Sequence, residues 1–265
     1  MISARLMGGM GNQMFIYAAA RGLAAERGDE VTINHSGVDI DLQRCYSLSL
    51  WRGVAEPVVP DDGVLPKMPQ SDWENRASWP PDYGVGWPFS DYWQDGKYFA
   101  HIADEMRACF VPAQPPSPRA ERMAALIRGA GDRSVITSIR RGDYLMFGSV
   151  LPREWYERAA EVIASRVPRP HFFVSTDDPG WAAANFRLPP HEVTVLEDYD
   201  RSNPRHLGRE DEELWLHGLC RHALLANSTY SWWGAWLAPK EVVVAPRHSM
   251  AVISKLPYPE GWIEL

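Results

Sequence analysis

Two adjacent arginines, Arg140 and Arg141, are followed by Gly142, Asp143 and Tyr144, just past the apolar run at 135–139. Paired guanidinium groups make a planar fork suited to a diphosphate. At the end of a strand such a fork could neutralise the charge that builds on a departing diphosphate, the work a divalent ion often does. Alternate residues of a strand face opposite ways, so an extended chain would aim only one arginine into a cleft; Gly142 lets the backbone turn there. The same string also suits an Arg–Asp surface pair. Asp143 has a role of its own to offer, as general base beside an attacking hydroxyl.

Three further strings carry polar groups at places where a strand gives way to a helix. Gly8, Gly9, Gly11, Asn12 and Gln13 follow the first apolar run. Glycines admit close backbone approach, and the helix start behind them offers N–H groups to an anion. This is neither a P-loop nor a full dinucleotide fingerprint, and a structural glycine turn reads the same way. Asp177 and Asp178 end the string HFFVSTDD; they suit a nucleoside's ribose or base edge, or a cap for a helix starting near Pro179. Asn227, Ser228 and Thr229 open NSTYSWWG, where a capped helix start could hold phosphate or simply begin a helix.

These strings need strands and helices to position them, and the apolar periodicity supplies both. Strands are expected at Ile2–Met7, Val31–Asn34, Ser134–Ile139, His171–Thr176, Glu192–Glu197 and Val242–Ala245. Helices are expected at Asn12–Arg27, Lys97–Phe110, Arg153–Arg166, Asp211–Ala226 and Tyr230–Leu237. Glu56–Ser90, rich in Pro, Trp and Asp, reads as an ordered irregular connection on the acceptor side. The prolines of VPAQPPSPRAE cannot continue a helix and mark a boundary, giving one domain at 1–115 and a second at 116–265. Strand–helix alternation on both sides predicts an α/β protein of two Rossmann-like domains with a ligand between them, at the carboxyl ends of the strands.

Composition narrows the function. With 45% hydrophobic and 23% charged residues over 265 positions the chain can bury a core. A net charge of −7 gives no basic field for nucleic acid. Cys45, Cys109 and Cys220 lack the spacing of a zinc site or a disulfide framework. No secretion signal or membrane span is legible, so the expected place is the cytoplasm, at most peripheral to the inner face of a membrane. Twelve tryptophans suit either sugar rings or a packed core.

Taken together, GGMGNQMFIYAAARGL, DYWQDGKYF, SIRRGDY, FFVSTDD and CRHALLANSTYSWWGAWL, in that order, resemble the bacterial α-1,2-fucosyltransferases of glycosyltransferase family 11. The likeness covers most of the chain and fails mainly between Asp39 and Ser90. It implies a GT-B architecture, GDP-fucose as donor, a galactoside as acceptor, inversion at the anomeric carbon, and no divalent metal or other cofactor. It places Arg140 and Arg141 on the donor diphosphate, Asn12 beside the donor, and Ser228 and Thr229 on a phosphate-facing loop. Gly9, Gly11, Gln13, Asp177, Asp178 and Asn227 complete the expected donor site, and Asp143, or after it Asp177, is the expected base. Two positions depart from the pattern: Ser138 stands where the family usually has a histidine that helps fix the nucleotide, and His217 where it often has an apolar residue. Two other readings fit the same residues: a transferase using a different nucleotide sugar, and a carbohydrate-binding protein built on its tryptophans. The sequence does not set an oligomeric state.

Overall fold

The computed structural model describes residues 1–40, 44–59, 65–86, 92–197, 208–247 and 256–265. It divides into two compact units, Met1–Gln114 with Asp200–Glu210, and Pro115–Tyr199 with Asp211–Leu265.

The first unit is built on β1 (Ile2–Arg5), α1 (Met10–Arg27), β2 (Val31–Asn34), the single turn α2 (Ser36–Asp39), β3 (Tyr83–Gly86) and α3 (Ala103–Cys109). Its three strands are parallel in the order β2-β1-β3. Helix α1 buries nearly its whole first three turns, Met14 to Ala20 being fully enclosed. It ends at Gly28, whose left-handed backbone, φ 70°, returns an N–H to the carbonyl of Ala24.

The stretch expected to be irregular holds two regular pieces, a 3-10 helix at Gln70–Ser78 and strand β3. The strand YGVG is too short, and too poor in β-branched residues, to show a period. Residues 60–64 and 87–91 of that stretch, and so Asp91 of DYWQDGKYF, lie outside the described residues. Trp73, Trp79, Trp93, Tyr83 and Tyr98 pack edge to face and are all buried. These tryptophans are core, not a platform for sugar rings.

The second unit runs α4 (Pro118–Ala130), β4 (Ser134–Ile139), α5 (Gly142–Met146), α6 (Arg153–Ala164), β5 (His171–Thr176), α7 (Pro179–Asn185), β6 (Glu192–Val195), α8 (Glu210–Leu219), β7 (His222–Leu224), α9 (Thr229–Trp236), β8 (Val243–Ala245) and β9 (Ile263–Glu264). Its six strands are all parallel, in the order β6-β5-β4-β7-β8-β9. Numbered within the unit this is 3-2-1-4-5-6, the doubly wound Rossmann order, whose crevice opens between the first and fourth strands, here β4 and β7.

Alternation along the strands assigns each side chain to a face. Val135, Phe172, Val174, Leu224 and Val244 pack with α6 and α7, whereas Ile136, Phe173, Ala223 and Val243 pack with α4, α8 and α9. Helices on both faces make the strands near-continuous apolar runs.

Two expected helices are corrected. The one drawn over Lys97–Phe110 is two 3-10 turns, Gly96–Tyr98 and Ala100–Ile102, followed by α3. The helix drawn over Asp211–Ala226 is two elements, α8 ending at Leu219 and β7 at His222–Leu224. The run HALLA has no period of its own, and what makes it a strand is its place beside β4. The break between the two is sealed by Lys240, whose ammonium donates to the carbonyls of His217, Gly218 and Cys220 at 2.7, 3.3 and 2.7 Å. Burial lowers that ammonium to a pKa of about 8.

Candidate functional site

In the second unit the carboxyl ends of β4, β5 and β7 bring together most of the residues singled out by the sequence. Strand β4 stops at Ile139, and the two arginines follow before α5 begins at Gly142. Arg140 is held by two carboxylates, Nη2 donating to Asp143 Oδ1 and Nη1 paired with Asp177 Oδ2, each at 2.9 Å. Its guanidinium also lies 5.1 Å from the centre of the Tyr144 ring. Asp177 spends its other oxygen on the backbone N–H of Arg141, again at 2.9 Å.

Arg141 is oriented from the neighbouring strand. Its Nε donates to Asp178 Oδ2 at 3.1 Å, and its guanidinium carbon lies 3.7 Å from the centre of the Trp181 ring. Asp178 Oδ1 meanwhile accepts the N–H of Trp181 at 3.1 Å and so caps α7, with Pro179 in its first turn. Of the two expected roles, capping is the one seen here, and the second oxygen of Asp178 is taken by Arg141. Among the described residues neither terminal nitrogen of Arg141 has a partner. The guanidinium is thus fixed by its face and its Nε edge, with its outer edge open.

The third strand end is tied to the first. Tyr144 donates from its hydroxyl to the carbonyl of Asn227 at 3.2 Å, and Asn227 Nδ2 donates to the carbonyl of Ser149 at 3.0 Å. Burial raises the Tyr144 pKa, so it stays a neutral donor. Ser228 caps α9, its Oγ accepting from the N–H of Ser231 at 3.1 Å. Thr229 opens that helix.

Ser138, in the histidine position, is buried on the face that meets α8. Among the described residues its Oγ has no hydrogen-bond partner, whereas its register partner Ser175 donates to Glu213 Oε1 at 2.6 Å. Glu213 and Trp181 escaped the sequence reading. A tryptophan three residues after an N-cap aspartate was the signal for Trp181; nothing local marks Glu213.

The glycine string lies in the first unit. Gly8 turns with φ +72°, and a side chain there would meet Asn12 Nδ2 at 2.7 Å. Gly9 precedes α1 with no side chain to cap it, and Gly11 is buried inside the first turn. Asn12 Oδ1 accepts from Gln94 Nε2 at 2.9 Å. Gln13 is fully enclosed and wholly engaged with backbone: Nε2 donates to the carbonyls of Gly8 and Cys45, and Oε1 accepts from Ser47. That amide staples a loop, and both of its N–H groups are spent on it. The loop it staples carries Arg44 against Gly9, whose Cβ would sit 3.8 Å from the Arg44 Nε, a neighbour that only the fold reveals.

Two parallel-sheet units of Rossmann type, one with arginines at its strand switch point, are the architecture of GT-B glycosyltransferases. The NodZ α-1,6-fucosyltransferase soaked with GDP-fucose has a similar fold, with a TM-score of 0.52 at 16% identity over 90% of this chain and 92% of that one. Residues 71–261 match the model of glycosyl transferase family 11, and the chain belongs to that family. An α-1,2-colitosyltransferase of Escherichia coli is 24% identical over 100% of this chain and 98% of its own. Galactoside α-(1,2)-fucosyltransferase 1 of Bos taurus is 25% identical over 89% of this chain, which spans 66% of that protein.

Proposed function

We propose that the chain is an inverting α-1,2-fucosyltransferase that moves fucose from GDP-fucose to the 2-hydroxyl of a galactoside, without a metal. The observation that carries this reading is the open outer edge of Arg141 at the switch point of a Rossmann sheet. Three aspartates face two arginines there, so the cluster as a whole is not cationic. What it offers phosphate is one guanidinium edge, supported by the helix start at Thr229.

In this reading the acceptor hydroxyl attacks the anomeric carbon from the face opposite the diphosphate. As the C–O bond breaks, its electron pair passes to the phosphate oxygen, and Arg141 stabilises the charge that collects there. Arg140, spanning Asp143 and Asp177, holds the turn that presents Arg141. The hydroxyl proton is assigned to Asp143, which lies beside the arginine turn, with Asp177 as the second candidate. Asp178 and the Ser175–Glu213 pair suit ribose hydroxyls or a base edge. The donor's negative charge is met by protein cations, and activity should persist in a chelator.

The names of the relatives support the linkage and acceptor, and one favours a second donor. Because the colitosyltransferase aligns from end to end, nucleotide-activated colitose is the competing substrate. Incubation with GDP-fucose, nucleotide-activated colitose, GDP-mannose and UDP-sugars, each with several galactosides and EDTA, decides between them once product linkage is determined. The expected result is an α-1,2-fucosylated galactoside at an undiminished rate in EDTA. Transfer from another donor alone overturns the donor assignment, and loss of activity in EDTA overturns metal independence. A carbohydrate-binding protein has no support, since the clustered tryptophans are buried.

A further inference from the structure

Trp181 belongs to no string that the proposed chemistry uses, yet it is the residue against which Arg141 rests. The guanidinium carbon is 3.7 Å from the ring centre, well inside the roughly 6 Å over which an aromatic face attracts a cation. The ring is only partly buried and packs on the core beneath α6 and α7, so it forms a wall with one side in the protein and one on the arginine. Its backbone is equally tied. The N–H of Trp181 is held by Asp178 Oδ1, and Asp178 Oδ2 holds Arg141 Nε. Ring and carboxylate are therefore one capped helix start, gripping the guanidinium on a face and an edge.

A guanidinium has few other ways to be immobilised. Left to itself an arginine side chain carries about 2 kcal/mol of rotamer entropy, which a bound phosphate would have to freeze. Here Asp178 fixes only the Nε edge, and rotation about that hydrogen bond would swing the outer nitrogens away. A flat ring at 3.7 Å blocks that rotation.

We infer that Trp181 is a positioning residue for the donor diphosphate, acting through Arg141 and setting the plane in which its terminal nitrogens are presented. The inference rests on the donor reading above and deepens it. An indole that merely fills the core would contribute to stability, not to nucleotide affinity. A positioning indole contributes to affinity only while Arg141 is there to be positioned.

A double-mutant cycle on GDP binding separates the two. GDP affinity is measured by calorimetry for the wild-type chain, Trp181→Leu, Arg141→Ala and the double variant. Trp181→Leu should weaken GDP about 3- to 30-fold in the wild-type background and have no further effect in Arg141→Ala. Trp181→Phe, which keeps an aromatic face of weaker attraction, should recover most of the loss. In turnover the same variants should raise the donor KM and lower kcat while leaving the acceptor KM unchanged. Equal weakening by Trp181→Leu with and without Arg141 overturns the inference. If the leucine variant does not fold, Trp181→Phe carries the same comparison, with about 2-fold expected beside Arg141 and none beside alanine. Failure of the wild-type chain to bind GDP, or unchanged binding by Arg141→Ala, defeats the donor reading itself and is distinct from these outcomes.

Discussion

His217 is fully buried, and neither ring nitrogen is hydrogen-bonded among the described residues; burial, with Lys240 nearby, lowers its pKa to about 3. The folded state therefore refuses a proton that the unfolded chain accepts below about pH 6.5. Stability from this residue is complete above that pH and is lost as the pH falls toward 3, at about 1.4 kcal/mol per unit. His217→Met, which supplies the kind of residue the family resemblance favours there, should remove the slope. It should also relieve two unmet polar atoms, raising stability at pH 7 by about 1–3 kcal/mol. Urea unfolding at pH 7 and pH 5 checks this: the advantage of the variant should grow by about 2 kcal/mol at the lower pH, and parallel behaviour of the two proteins refutes the assignment. The sequence showed His217 as out of place, and the structure supplies the reason. It likewise showed Arg140, Arg141, Asp143, Asp177 and Asp178, because each sits at a strand end that the apolar runs mark. It could not show that Gln13 is engaged by backbone groups of a distant loop, or that Glu213 meets Ser175, because those are facts of distance between segments remote in the chain.

Elements were legible where their period was long and hidden where packing, not pattern, decides. Helices α1 and α6 and strands β4 and β5 show themselves in the sequence through sustained apolar spacing. β3, β7 and β9 are two to four residues long and are strands because a neighbour pairs with them, so no local signal distinguishes β7 from an extension of α8. Helix α4 was hidden by the prolines before it, although Ser117 and Pro118 are the cap and first turn that those residues favour. Within α1, Gly22 illustrates packing that propensity would misjudge. Alanine is preferred over glycine in a helix interior by about 1 kcal/mol, yet a Cβ at Gly22 would lie 2.0 Å from the backbone carbonyl of Tyr98. Backbone cannot rotate away, so Gly22→Ala should destabilise by about 1–3 kcal/mol. Gly129→Ala, in α4 with nothing within 4 Å, should stabilise by about 0.5–1 kcal/mol. Opposite shifts in denaturant midpoint for the two substitutions are the expected result, and a stabilised Gly22→Ala would mean that α1 does not pack on Tyr98 as described.

At the scale of the whole molecule, a chain of net charge −7 attracts no anion in general, so affinity for a nucleotide diphosphate must come from a local arrangement. The described residues hold no grouping of three or more metal-binding side chains and no helix long and apolar enough to cross a membrane. On the reading proposed above, the arginines at the switch point of the second unit are the feature that a whole-protein measurement should sense. Because a ligand that binds only the folded state stabilises it, GDP at about 100 times its Kd should add about 2.7 kcal/mol. For a chain of this size that raises the melting temperature by about 5–10 °C. On the metal-independent reading proposed above, the shift should be the same with magnesium or with EDTA. Arg141→Ala should melt a few degrees lower without ligand, since it gives up the Asp178 hydrogen bond and the Trp181 ring, and should lose most of the GDP shift. A shift that needs magnesium, or that survives in Arg141→Ala, would place the charge compensation for the diphosphate elsewhere than on this side chain.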